Sequence, residues 1–254
     1  MANKHYNINY LEETGRFLKN LKEYSYQPFT RIISGAIIDL GCGTGADVSN
    51  LGKLLGEQVM VTGIDHDETM LKKAESSFND QKNIQFILSE ANTIPFENET
   101  VSGLRAERLI QHLAAPESTV FEMHRVLKKG HPLVLVETDW PSLTFYNEHL
   151  AIENKIIQYL TDKKINNGLA ARKLSAYMEC SGFENIHIEI FPFIIKSLKE
   201  ANEYLWIERM ISEASDENFI STQERDVFLP ALHQSDEKNC FACTINVVIA
   251  SSTK

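Results

Sequence analysis

Nine residues constrain this chain more than any others: Ile37-Ile38-Asp39-Leu40-Gly41-Cys42-Gly43-Thr44-Gly45. An apolar run of strand character ends in an acid. Glycines at alternate positions then lead into a segment of helical spacing. Glycine is required where the backbone turns through left-handed conformations, or where a ligand must reach main-chain atoms with no Cβ in the way. The N–H groups that open the following helix have no partner within it and favour anionic groups, a carboxylate among them. By spacing alone, Gly41, Gly43 and Ala46 also satisfy the dinucleotide fingerprint G-x-G-x-x-G/A, so the loop does not fix its ligand. Asp39 places a negative charge just before the loop, which suits an ammonium or sulfonium better than a pyrophosphate. About 20 residues further on, Asp65 ends a second apolar run, where a carboxylate can accept both hydroxyls of a ribose.

Strands and helices alternate around this loop. Apolar runs of strand length occur at Ala36–Leu40, Val59–Asp65, Ile84–Ser89, Val101–Arg105 and Leu133–Asp139. Asp67 suits the cap of a helix carrying Met70, Leu71 and Ala74 on one face. Pro116 suits the first turn of another, with Val120, Met123 and Leu127 along its stripe and Gly130 past its end. This alternation predicts a parallel sheet wound by right-handed crossovers. The last third differs. Gly168–Cys180 has the spacing of a helix stopped by Gly182, and Ile186–Phe193 and Thr244–Ser251 read as two further strands. Between those strands, Leu198–Gln234 is expected to be mostly helical.

Charge and cysteine usage narrow the function. Lysine and arginine number 25 against 35 acids, a formal net charge of −10 that disfavours broad nucleic-acid binding. The opening MANKHYNINY has no apolar core and no small-residue cleavage site, so no secretory address is expected. No run approaches the ~18 apolar residues that span a bilayer, and the expected location is the cytoplasm. Cys42, Cys180, Cys240 and Cys243 are expected to be reduced structural thiols. Cys240 and Cys243 have knuckle spacing, but no second Cys/His pair completes a zinc set. His5, His124, His149, His187 and His233 are scattered, so no metal site is expected.

The chain resembles the class I S-adenosylmethionine-dependent methyltransferases, in particular the branch containing the ubiquinone/menaquinone C-methyltransferases and many small-molecule methyltransferases. The resemblance rests on IIDLGCGTG (37–45), VTGIDHDETMLKKA (61–74), SEANTIPFENETV (89–101), RLIQHLAAPESTVFEMHRVLKKG (108–130) and LVLVETDW (133–140), in the family's order and spacing. SGFENIHIEI (181–190) is similar to the family's penultimate strand. The resemblance implies one doubly wound, Rossmann-like α/β domain over residues 1–254. Its sheet of about seven strands is mostly parallel, with the last antiparallel and inserted beside the fifth. Residues 1–34 would form a helical lid, 35–140 the cofactor-binding core, and 141–254 the cap helices and last two strands.

It further implies that Asp39, Gly41, Gly43 and Gly45 cradle the methionine moiety, and that Asp65 holds the ribose with His66 and Met70 beside the adenine. Glu90 stands where the family usually has an aspartate for the adenine amino group, with Ala91 next to it, and Arg105 would lie near the methionine end. Ser102 and His131 depart from the family's usual aspartate and glycine. His112 occupies the place of a histidine implicated in deprotonating the acceptor in related sugar O-methyltransferases, with Glu137 aligned to an assisting acid and Asp139 nearby. Imidazole suits that role because its ordinary pKa, near ~6.5, permits proton transfer at neutral pH. Phe29, Trp140, Tyr146 and Trp206 are candidates to line a pocket for a small-molecule acceptor. The rival readings are a protein or nucleic-acid methyltransferase, a non-catalytic cofactor-binding protein, and a nicotinamide dehydrogenase. The Asn/Asp-Pro-Pro-aromatic motif of amino-DNA methyltransferases is missing after the fourth strand, where the chain reads LRAERLIQHL.

Overall fold

The structure, a computed structural model, describes residues 17–254. The first part of the expected lid, and His5, lie outside the described residues. In chain order the elements are α1 (Lys19–Ser25), β1 (Gly35–Leu40), α2 (Ala46–Leu55), β2 (Val59–Asp65), α3 (Glu68–Phe78), β3 (Ile84–Leu88), β4 (Val101–Glu107), α4 (Pro116–Val126), β5 (Pro132–Phe145), α5 (Leu150–Tyr159), α6 (Ala170–Cys180), β6 (Glu184–Ile195), α7 (Leu198–Leu205), α8 (Ile207–Asp216), α9 (Thr222–Glu237) and β7 (Cys243–Thr253). Short 3-10 turns at Gln27–Phe29 and Ile110–His112 and a π-helical turn at Leu160–Lys164 complete them.

The seven strands lie in the order β3-β2-β1-β4-β5-β7-β6. β1 pairs in parallel with β2 and β4, β2 with β3, and β4 with β5. β7 runs the other way: the Tyr146 N–H donates to the Ala242 carbonyl at 3.0 Å, and the Gly130 N–H to the Lys254 carbonyl at 2.6 Å. The expected antiparallel strand beside β5 is therefore present. Because strand order reverses at β1, the carboxyl ends of β1 and β4 part there and leave a crevice for a ligand.

Local chemistry sets the boundaries. The Asp67 carboxylate caps α3 by accepting from the N–H groups of Thr69 and Met70, an arrangement worth about 1 kcal/mol. Gly182, at φ +88°, follows α6 as expected. α4 ends earlier than its apolar stripe suggested. Leu127 is already extended and bridges Val101, and Gly130 instead makes the turn into β5 at φ +73°. β5 runs six residues beyond the expected Asp139, through Pro141 to Phe145.

The chain divides into two compact units. One comprises residues 20–137, 170–189 and 248–254, and its core gathers Ile38, Leu40, Ile64, Leu104, Met123, Leu135 and Leu174. The other comprises, among the described residues, 17–19, 138–169 and 190–247. Its separate core includes Trp140, Phe145, Tyr159, Ile211, Phe228 and Leu232.

Candidate cofactor site

The loop after β1 takes the shape its glycines permit. Gly41, Gly43 and Gly45 adopt φ of +75°, +52° and +78°, a region side-chain-bearing residues rarely enter. A Cβ at Gly45 would stand 2.6 Å from the Phe86 ring, and one at Gly41 3.1 Å from Leu109, so neighbouring elements close on the loop from outside. The Gly41 and Cys42 N–H groups donate to the Ile64 carbonyl, fixing the loop to β2.

Asp65, at the end of β2, faces this loop. Its Oδ2 accepts the Gly43 N–H at 2.8 Å and its Oδ1 the Asp67 N–H at 3.0 Å. The largely exposed His66 ring places Nδ1 3.3 Å from Oδ1. Met70 is buried on α3. Glu90 is exposed just past β3, and Ala91 is half-buried against the core. The glycine loop, Asp65 and the Glu90–Ala91 pair thus stand at or just past the ends of three adjacent strands, β1, β2 and β3.

Asp39 and Arg105 occupy a place their sequence positions did not reveal. Arg105 is completely buried, and every arm of its guanidinium is engaged. Nε donates to Ser25 Oγ at 3.0 Å, Nη1 to Asp39 Oδ1 at 3.0 Å, and Nη2 to Glu107 Oε2 at 2.5 Å. Its Nη1 also lies 3.5 Å from Asp47 Oδ2, and the Tyr26 ring lies over it at 5.2 Å. Lys22 bridges Asp47 at 2.6 Å and Glu107 at 2.9 Å, while the Tyr26 hydroxyl donates to Asp47 Oδ1. Burial pushes the Asp39 carboxyl up to about 7 despite the Arg105 charge beside it. Asp47 is half-buried, and Lys22 and Arg105 together hold it well below the usual carboxylate range. Sequence reading missed Lys22, Tyr26, Asp47 and Glu107. The available signal was Arg105 itself, since an arginine inside an apolar strand requires buried partners.

Glu137 is also fully buried. Its Oε1 accepts the Ile110 N–H at 2.5 Å and the Gln111 N–H at 3.4 Å, and its Oε2 is buried with no hydrogen-bond partner. Burial raises its carboxyl to about 8, against the pull of those two N–H groups. These bonds grip the start of the turn that carries His112. The His112 Nε2 lies 3.2 Å from Gln111 Nε2. Asp139 is buried on β5 in the other unit, and the Asp139 carbonyl accepts the Ser142 hydroxyl at 2.6 Å. Of the aromatic candidates, Phe29 packs against the backbone of Gly103 and is fully buried, Trp140 is buried, and Tyr146 is exposed. Trp206 stacks over Arg209 at 5.3 Å.

A sheet of this strand order, with an acid-ended β1, a glycine loop and an acid ending β2, defines the class I methyltransferase fold. Residues 37–130 match the family described as a methyltransferase domain. Over 216 residues, 85% of this chain, it is 28% identical to an uncharacterized 37.1 kDa transposon protein of Streptomyces fradiae, covering 62% of that protein. It is 30% identical over 130 residues to a demethylmenaquinone methyltransferase of Staphylococcus aureus, covering 50% of this chain and 52% of that enzyme. Among solved structures, a Haemonchus contortus phosphoethanolamine N-methyltransferase 2 in complex with S-adenosylmethionine superposes with a TM-score of 0.62 at 16% identity. It covers 99% of this chain and 58% of that one. A geranyl diphosphate methyltransferase superposes with a TM-score of 0.58 at 15% identity, covering 99% and 92%. Among the described residues, no group of three or more His, Cys, Asp or Glu side chains is placed to hold a metal ion, and no helix is long and apolar enough to cross a membrane.

Proposed function

We propose that this protein transfers a methyl group from S-adenosylmethionine to an oxygen, nitrogen or carbon nucleophile of a small-molecule acceptor. The carrying observation is the pairing of the Gly43 N–H with Asp65, which sets a ribose-accepting carboxylate against a left-handed glycine loop. These residues fit the cofactor. Asp39, Gly41, Gly43 and Gly45 would hold the methionine moiety, Asp65 the ribose, and His66, Met70, Glu90 and Ala91 the adenine. Arg105 supports this set from behind by binding Asp39.

When bound, S-adenosylmethionine supplies a methyl group already activated on a sulfonium. The chain's own work is then to orient, to exclude water and, for a protonated nucleophile, to remove one proton. His112 is assigned as that base. Glu137 supports it by fixing the turn, and Asp139 is the second carboxylate of the proposal. Small-molecule relatives and the chain's acidity favour a metabolite over nucleic acid as acceptor. The methyltransferase match argues against a nicotinamide dehydrogenase. All four cysteines are free, in keeping with a cytoplasmic site of action.

Incubation with methyl-labelled S-adenosylmethionine and pooled metabolite fractions tests the proposal. Transfer of label to a low-mass product that is lost in Asp65→Ala is expected. Binding of the cofactor with no transfer to any fraction would favour the non-catalytic reading.

A further inference from the structure

Three carboxylates, the buried Asp39 and the half-buried Asp47 and Glu107, surround the Arg105 guanidinium. A single arginine cannot satisfy all three. Lys22 supplies a second cation, and it comes from α1, ahead of the stretch that matches the methyltransferase family. Its ammonium takes Asp47 and Glu107 together. Arg105 then points one arm at Asp39, the acid one residue before the end of β1.

We propose that Lys22 is a positioning residue for the cofactor, keeping the Asp39 carboxylate ionised under the loop so that its charge attracts the cationic end of S-adenosylmethionine. The inference rests on the cofactor assignment above. The charged and titratable groups that act on Asp39 come from several surrounding elements: Lys22 from α1, Tyr26 just after it, Asp47 from α2, Arg105 from β4 and Cys42 from its own loop. Asp39 sits close to a neutral-pH transition, with Lys22 among the charges pulling it down. Removing that charge moves the transition to higher pH, so at pH 7 the carboxyl takes up a proton and its attraction is lost. Deprotonation at higher pH restores it.

The test uses the full chain in two readouts. Carboxyl titration of Asp39 followed by NMR in the free protein should move up by about one pH unit in Lys22→Met and return in Lys22→Arg. In calorimetry, the same variant should bind S-adenosylmethionine about fivefold more weakly than wild type at about pH 7, and within about 1.5-fold of it at about pH 8.5. S-adenosylhomocysteine, which lacks the sulfonium charge, should lose less. Should Lys22→Met fail to fold, Lys22→Gln removes the same charge while keeping a polar donor toward Asp47 and Glu107, and should shift Asp39 the same way. An Asp39 titration unmoved by these substitutions, or a loss of affinity that pH does not restore, would overturn the proposal. Wild-type protein that binds neither cofactor form would instead overturn the cofactor assignment.

Discussion

Arg105 is the residue on which the site's electrostatics turn. A guanidinium with no solvent exposure is tolerable only because Ser25, Asp39 and Glu107 meet its arms. Truncating one member of such a set strands the others, typically at about 3–5 kcal/mol. Arg105→Met is therefore expected to destabilise the protein by that order in urea unfolding, whereas an unchanged midpoint would mean the acids find other partners. Gly43 is demanding in another way. At φ +52° a β-branched side chain is strained, and its Cβ would stand on the ligand's approach path. Gly43→Val should weaken S-adenosylhomocysteine binding at least about tenfold, a loss of ~1.4 kcal/mol or more, with circular dichroism unchanged. Equal affinity in a folded variant would place the cofactor elsewhere. For His112, general-base catalysis typically contributes ~100- to 10,000-fold, so His112→Ala should lower kcat by that factor and spare cofactor affinity. A variant turning over at the wild-type rate at neutral pH would leave positioning as the whole mechanism.

Among the elements, β5 shows both what sequence reveals and what it withholds. Its start was legible because LVLVETD is an apolar run that ends in charge, as buried parallel strands do. Its continuation was hidden, because Pro141 and the polar residues beside it look like a strand end. The extension is held from outside, by β7, where the Asn246 N–H donates to the Ser142 hydroxyl at 2.8 Å. Glu137 was visible as an acid near the fifth strand's end, and the sequence suggested a partner for the imidazole. The bonds it makes are to the amides of Ile110 and Gln111, an arrangement that spacing alone cannot show. Its carboxyl rises in the fold to about 8 from an ordinary ~4.3, so the folded chain holds this proton more tightly than the unfolded one. The stability it contributes is full below about pH 4 and is lost as pH rises through about 8. Glu137→Gln keeps an oxygen for the two amides and removes the titration. The fall in Tm between about pH 6 and about pH 9 should therefore be smaller in the variant than in wild type. Identical falls would show that Glu137 stays ionised in the fold.

For the whole molecule, the sheet order followed from local signals repeated along the chain: acid-ended strands, the Asp67 cap and the Pro116 helix start. The ion cluster did not, because Lys22, Asp47 and Arg105 are far apart in sequence, and Lys22 and Asp47, the partners that Arg105 calls for, each resemble a surface charge. Nor did the two cores, since the apolar spacing of α7, α8 and α9 does not reveal which surfaces they bury. Phe228 lies in the core that excludes the glycine loop and stands edge-on to Phe145, with ring centroids 5.5 Å apart. Phe228→Ala should cost about 3–5 kcal/mol in unfolding experiments, while the folded protein keeps wild-type affinity for S-adenosylhomocysteine. The central claim is that the loop at 41–45 and Asp65 together form an S-adenosylmethionine site. Calorimetric titration of wild type and Asp65→Ala with S-adenosylhomocysteine tests it most directly. The account predicts one molecule bound per wild-type chain, and a loss of about tenfold or more in affinity for a folded Asp65→Ala protein. Equal affinities, or a wild-type chain that binds a nicotinamide dinucleotide and leaves S-adenosylhomocysteine free, would contradict it.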